Sequence, residues 1–295
     1  MITLECPLHA ARSTAMTQRY HPISTASGFS GERKIRWRSP RLWALILFGL
    51  AFVGIGYPTY AEAGALGSDD RRMIDQLGSP WSAIGQINVT GYRRMSWCTG
   101  SLIATNLVIT AAHCLMDPWS GKPFPLHQIH FLAGVRRSSW LGHSTAKCLH
   151  FHPEYEYVSP NRIDPSQSSQ DVPRRSVEHD IALLVLNEDL TRIPPLQIEH
   201  AEVQESDISL VHASYPADRR YVLTGHFGCR LLARDQNLWL TNCEAHAASS
   251  GGPVFIHRGK ELKLAAVMVG LAGTAGSVAV PLSAWINIVA MSNCP

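Results

Sequence analysis

The sequence carries no P-loop, no dinucleotide-binding fingerprint and no internal repeat, so phosphate-driven chemistry and repeat architectures have no local support. Residues 42–57 form an apolar run without a charge, but it falls short of the roughly 20 apolar residues that a membrane-spanning helix needs. Charged side chains are sparse, 17% of 295 residues, and the formal net charge of +3 is unevenly spread. The segment 1–63 holds 7 Lys+Arg and 3 Asp+Glu of the totals of 26 and 23, which leaves 19 and 20, a net of −1, for the rest. No basic patch survives that subtraction, and no nucleic-acid partner is expected. Metal-ligand spacing is also lacking. His127 and His130 lie three apart and His150 and His152 two apart, yet neither pair has a cysteine or acid cluster at ligand spacing, so no metal and no cofactor is expected.

What is present begins with an export address. Arg33, Lys34, Arg36, Arg38 and Arg41 precede the apolar run, and Pro58 and the small-x-small triplet Ala61-Glu62-Ala63 follow it. That order predicts a signal peptide over residues 1–63, cleaved after Ala63, and a secreted or periplasmic protein with no stable membrane association afterwards. The stretch ahead of the run, 1–41, is long for such a segment and points to a start downstream of Met1. Residues 64–79 are polar, include Asp69-Asp70-Arg71-Arg72, and read as a mobile leader or propeptide with a processing site at Arg71 or Arg72. Of seven cysteines, Cys6 leaves with the signal. The remaining six, an even number in an exported chain, favour disulfides over metal ligation and allow 15 pairings.

From residue 80 the pattern is one of short strands. Residues 82–89, 98–103, 106–110, 128–132, 146–152 and 181–186 are rich in apolar and β-branched residues and bounded by turn formers. After Pro194-Pro195, which reads as a linker, the pattern returns over 208–211, 221–232, 237–243, 254–257, 262–269 and 277–280. No helix of ordinary length intervenes, which predicts an all-β fold of antiparallel barrels spanning 80–193 and 194–295. Ser283 offers an N-cap to a closing helix, with Trp285, Ile288 and Val289 on one face. Residues 159–179, with three prolines and no apolar period, read as an exposed loop, and His179 as a residue facing away from its neighbour Asp180.

Three runs suggest chemistry. Ser249-Ser250-Gly251-Gly252-Pro253 could be an ordinary surface turn, but small residues after a serine also let its hydroxyl stand among converging backbone N–H groups. Upstream lie Thr110-Ala111-Ala112-His113-Cys114 and Asp180-Ile181-Ala182-Leu183-Leu184. A nucleophilic serine needs a base, and that base needs a carboxylate to hold its tautomer. His113, Asp180 and Ser250 stand so far apart along the chain that only folding can bring them together.

In that order the three runs resemble the trypsin/chymotrypsin-like serine peptidases over roughly residues 80–285. The shortened second half and the non-acidic residue before the serine resemble the bacterial, glutamyl-endopeptidase-like members. The resemblance implies two six-stranded antiparallel barrels with the active site between them, a monomer acting on protein or peptide substrates, His113 as general base, Asp180 as its orienting partner and Ser250 as nucleophile. It places the oxyanion donors on Ala248 and Ser250, with alanine where members usually carry glycine. It implies a Cys98 to Cys114 disulfide, worth about 3 kcal/mol in the chain-entropy model. Cys229 to Cys243 could cross-link a hairpin before the serine turn, while Cys148 and Cys294 either pair or remain free thiols. For the specificity pocket it points to Glu244 at the base, which would suit basic substrates, and to Met268, Val269 and Gly270 on the wall, without the histidine of the glutamate-preferring enzymes. Because Ser249 stands where animal-type zymogens have an aspartate, activation by a freed N-terminus is not expected. The contrasting expectation is a catalytically inactive homologue that uses the cleft to bind a protein.

Overall fold

A computed structural model describes residues 69–76, 78–91, 94–159, 174–201, 203, 208–235, 237–285 and 293–294. The expected signal peptide lies outside these residues. Each of the twelve stretches read as strands coincides with one. The first six, β2 (Ile84–Gly91), β3 (Arg94–Ala104), β4 (Leu107–Thr110), β5 (Ile129–Ala133), β6 (Gly142–Phe151) and β7 (Ala182–Leu186), close a barrel in the order β2-β3-β4-β7-β6-β5. The others are β8 (Ser209–Ser214), β9 (Thr224–Asp235), β10 (Leu238–Thr241), β11 (Pro253–Arg258), β12 (Glu261–Leu271) and β13 (Ser277–Pro281). They run β9-β10-β13-β12-β11-β8, and a β8–β9 pairing closes the second barrel.

Two apolar clusters explain why the strands read as near-continuous hydrophobic runs instead of clean alternations. On β11, Val254 and Ile256 pack inside the second barrel with Leu210, Trp239 and Ala266. Phe255 between them joins a cluster that includes Ile84, Leu102 and Leu183 of the first barrel. Both faces are therefore buried, and polar residues have no regular place on them. The linker is tied to both halves: Leu196 N–H donates to Leu102 O at 2.8 Å, and Leu264 N–H to Gln197 O at 2.8 Å.

Two expectations meet a different arrangement, and a third falls largely outside the described residues. The segment read as a mobile leader contributes β1 (Arg72–Met73), an edge strand antiparallel to β9, and Ile74 is buried in the core beside it. Residues 174–178, read as part of an exposed loop, form a short helix, α1 (Arg174–Glu178), that delivers buried Glu178, His179 and Asp180 to the start of β7; residues 160–173 lie outside the described residues. At the C-terminus, Leu282–Trp285 makes one 3-10 turn, and the expected helix beyond it, with Ile288 and Val289, lies outside the described residues. All six remaining cysteines pair, as Cys98–Cys114, Cys229–Cys243 and Cys148–Cys294. The last bridge joins β6 to the C-terminus across 146 residues of sequence.

Candidate active site

His113 sits in a 3-10 turn (Ala112–Leu115) one residue after β4, and Asp180 stands two residues before the first residue of β7, the strand paired with β4. The two side chains therefore meet at one end of the barrel. His113 Nδ1 lies 2.5 Å from Asp180 Oδ2, and the backbone N–H of His113 donates to Asp180 Oδ1 at 2.8 Å. Asp180 is buried, with both oxygens engaged by one residue, so His113 is held at backbone and ring, and its Nε2 is left for other work. Burial favours the neutral ring, but the charge and hydrogen bond of Asp180 outweigh it and raise His113 above the ordinary histidine value.

The serine turn is fixed to the first barrel by a residue the motifs did not single out. Thr99 N–H donates to Ser250 O at 2.8 Å, and Thr99 Oγ1 donates to Ala248 O at 3.1 Å. Thr99 is next to Cys98, whose disulfide partner Cys114 is next to His113. One strand position and one cross-link thus hold base and serine at the same corner. The only signal for Thr99 in the sequence is its place beside a cysteine, which specifies no partner.

Glycine is obligatory at the turn. Gly251 has φ +83°, and a β-carbon there would fall 2.0 Å from Thr99 O and 2.1 Å from Thr110 Oγ1. Ala248 adopts φ +69°, the left-handed conformation that glycine takes without strain, at a cost of about 1 kcal/mol. Ala217 N–H donates to Ala247 O at 2.7 Å. The N–H of Ala248, opposite that carbonyl in a planar trans peptide, therefore points away from residue 217. Among the described residues neither the Ala248 nor the Ser250 amide has an acceptor.

The choice between the two serines is also spatial. Ser249 is buried, and its Oγ accepts from Ser214 Oγ at 3.0 Å and from the His246 amide at 3.0 Å. Both serines border a cavity of about 210 Å³, but Ser250 is only half-buried. Its Oγ has no hydrogen-bond partner among the described residues, His113 Nε2 included. Of the expected pocket residues, Met268 and Gly270 line this cavity and the other two do not. Val269 is the extra residue of a β-bulge between Met268 and Gly270, and it packs into the core shared by the barrels. Glu244 lines a separate polar recess with Asp70, Arg72 and His226. Its Oε2 accepts the amides of Asp70 at 2.8 Å and Arg71 at 3.1 Å. Burial, with Asp69 and Asp70 nearby, raises Glu244 above the usual carboxylate range. The Arg71 guanidinium beside it bonds Asp69 at 2.9 Å and Asp218 at 2.7 Å.

His179 stays apart from His113, stacked on His152 with ring centroids 4.4 Å apart. The spaced histidine pairs do not converge either, since His130 bonds His143 at 2.9 Å and His150 lies 3.8 Å from Cys148 Sγ. Among the described residues the one grouping at metal-ligand distances is Cys98, His113 and Cys114. Its sulfurs are joined to each other, and a disulfide offers no thiolate for a metal.

The trypsin-like peptidase domain model matches residues 98–262, more than half of the chain. Among solved structures the fold is similar to a Glu endopeptidase in complex with MPD, at 17% identity and TM-score 0.61, covering 76% of this chain and 96% of that one. It is similar to the protease Anisep from Arthrobacter nicotinovorans, at 19% identity and TM-score 0.53, covering 72% and 92%. A thermostable serine protease from an extremophilic microorganism aligns at 20% identity and TM-score 0.51, covering 68% and 90%. No curated protein matches the chain. With the family model spanning His113, Asp180 and Ser250, the chain belongs to the trypsin-like peptidase family.

Proposed function

We propose that the protein is a secreted serine endopeptidase that hydrolyses peptide bonds through an acyl-enzyme. The observation that carries this reading is the two-point hold of Asp180 on His113, at Nδ1 and at the backbone N–H. A merely structural histidine has no need of a buried carboxylate that fixes its tautomer and stabilises its charged form. In the reaction Ser250 Oγ attacks the scissile carbonyl and His113 Nε2 takes its proton, then returns it to the leaving amine. Water, activated by the same imidazole, releases the acyl group. The Ala248 and Ser250 amides, without acceptors among the described residues, stabilise the oxyanion, and losing one such donor typically costs about 100-fold in rate or more. Three disulfides support export.

One observation favours a second reading, a silent homologue that binds a protein in the cleft: Ser250 Oγ makes no hydrogen bond to His113. In substrate-free sites that bond is often long and closes only with substrate in place. Mass spectrometry after exposure to a fluorophosphonate separates the two. A single adduct on Ser250, absent from Ser250→Ala and His113→Ala, is expected. No adduct on a folded, fully disulfide-bonded sample would replace the peptidase reading with the binding one.

A further inference from the structure

The cavity beside Ser250 says what kind of side chain the cleft accepts. Ala245, Ala247, Met268, Gly270 and Leu271 line it, together with His246 and the two serines. Of these, Ser249 is turned inward, and His246 has its buried Nδ1 3.8 Å from the Asp218 carboxylate. The carboxylate that could have served a cationic substrate, Glu244, is buried in the neighbouring recess and bonded to the amides of Asp70 and Arg71. Among the described residues no carboxylate, ammonium or guanidinium lines the cavity. Its accessible wall is Leu271 and Ala247, with Met268 and Ala245 buried behind it. A cationic side chain placed there would lose its water without gaining a partner and an anionic one would meet only the His246 imidazole, whereas an apolar one gains burial.

The cavity is open at Gly270. A β-carbon built on this residue meets nothing within 4 Å, so the space in front of it is open and any side chain at position 270 would grow into it. At the bulge Val269 turns into the core shared by the barrels, and Met268 borders the cavity from within the core of the second barrel, where it is fully buried.

Resting on the peptidase reading above, we propose that this cavity is the primary specificity pocket and that it selects a medium-sized unbranched or γ-branched apolar side chain, leucine or methionine, on the acyl side of the scissile bond. Leu271 and Ala247 supply the contact and Gly270 supplies the room.

The test is cleavage of a quenched-fluorescent peptide series, varied only at that residue, by the mature disulfide-bonded protein, alongside fluorophosphonate labelling of the same sample. Cleavage after Leu or Met is expected at least about 10-fold faster in kcat/KM than after Ala, and about 100-fold faster than after Asp, Glu, Lys or Arg. In Gly270→Val the ratio of Leu to Ala cleavage is expected to fall at least about 10-fold, since the added methyls take up the volume that leucine uses. Gly270→Ala, a smaller step into the same space, should lower the ratio part of the way and covers the case in which valine disturbs β12. Labelling of Ser250 with a preference for acidic residues would move recognition to His246 and overturn the proposal. A preference for basic residues would do so through Glu244, and an unchanged Leu to Ala ratio in both variants would do so through the pocket itself. Absence of both labelling and cleavage would remove the peptidase reading and this inference with it.

Discussion

Glu244→Ala is the most informative perturbation of the region behind the pocket. Both amides that Glu244 anchors, those of Asp70 and Arg71, donate to the same oxygen, Oε2, in a site where the side chain is 2% exposed. A hydrogen bond to a charged acceptor is worth about 1.5–3 kcal/mol, so the pair has a gross value of about 3–6 kcal/mol. Against this stands the desolvation that raises the Glu244 pKa, and removing the carboxylate relieves it. A net loss of about 3 kcal/mol is expected for alanine. Glutamine, which keeps one carbonyl oxygen able to accept both amides, should lose less than half of that. Urea denaturation of the mature protein reads the stability, and amide hydrogen exchange at Asp70 and Arg71 reads the anchoring. In alanine the two amides should exchange faster and trypsin should cut after Arg71 or Arg72 sooner, because β1 is held by an edge pairing of two residues. Unprotected amides in the unaltered protein, or an alanine variant as stable as the parent, would refute the anchoring role.

Two other expectations concern the base and the longest cross-link. His113 must be neutral to accept a proton, so kcat/KM should rise with pH through a midpoint above the ordinary histidine value of about 6.5. The raised folded value also means that the His113–Asp180 pair contributes stability below about pH 6.5 that is lost as pH rises through that midpoint. Asp180→Asn should move the midpoint down and lower kcat about 10⁴-fold, read from the pH–rate profile. Replacing Cys148 and Cys294 together by serine opens a 146-residue loop and should lower stability by up to about 5 kcal/mol in chemical denaturation, with Ser250 labelling retained by the folded fraction.

Much of this was legible before any coordinates. The strands of both barrels announce themselves through short β-branched runs between turn formers, because pairing and burial act on each run locally. His113, Asp180 and Ser250 stand in local contexts that the chemistry itself requires: a base at a turn, a carboxylate at the start of a strand, a hydroxyl before glycines.

Other features depend on which distant groups become neighbours, and no local pattern encodes that. Thr99 reads as one more strand threonine until the serine turn arrives to accept its amide. Asp69 to Met73 reads as a solvated charge cluster until Glu244, Asp218 and β9 supply partners. Val269 sits between two cavity residues in sequence, but a bulge, which appears only when β12 pairs with β13, turns it into the core. Composition and motif therefore pointed to the family, the strands and the side chains proposed to react, because each rests on what a residue can do within its own few neighbours. The pairing of Cys148 with Cys294, the burial of Glu244 and the apolar character of the pocket were decided by tertiary structure, because each follows from contacts between segments far apart along the chain.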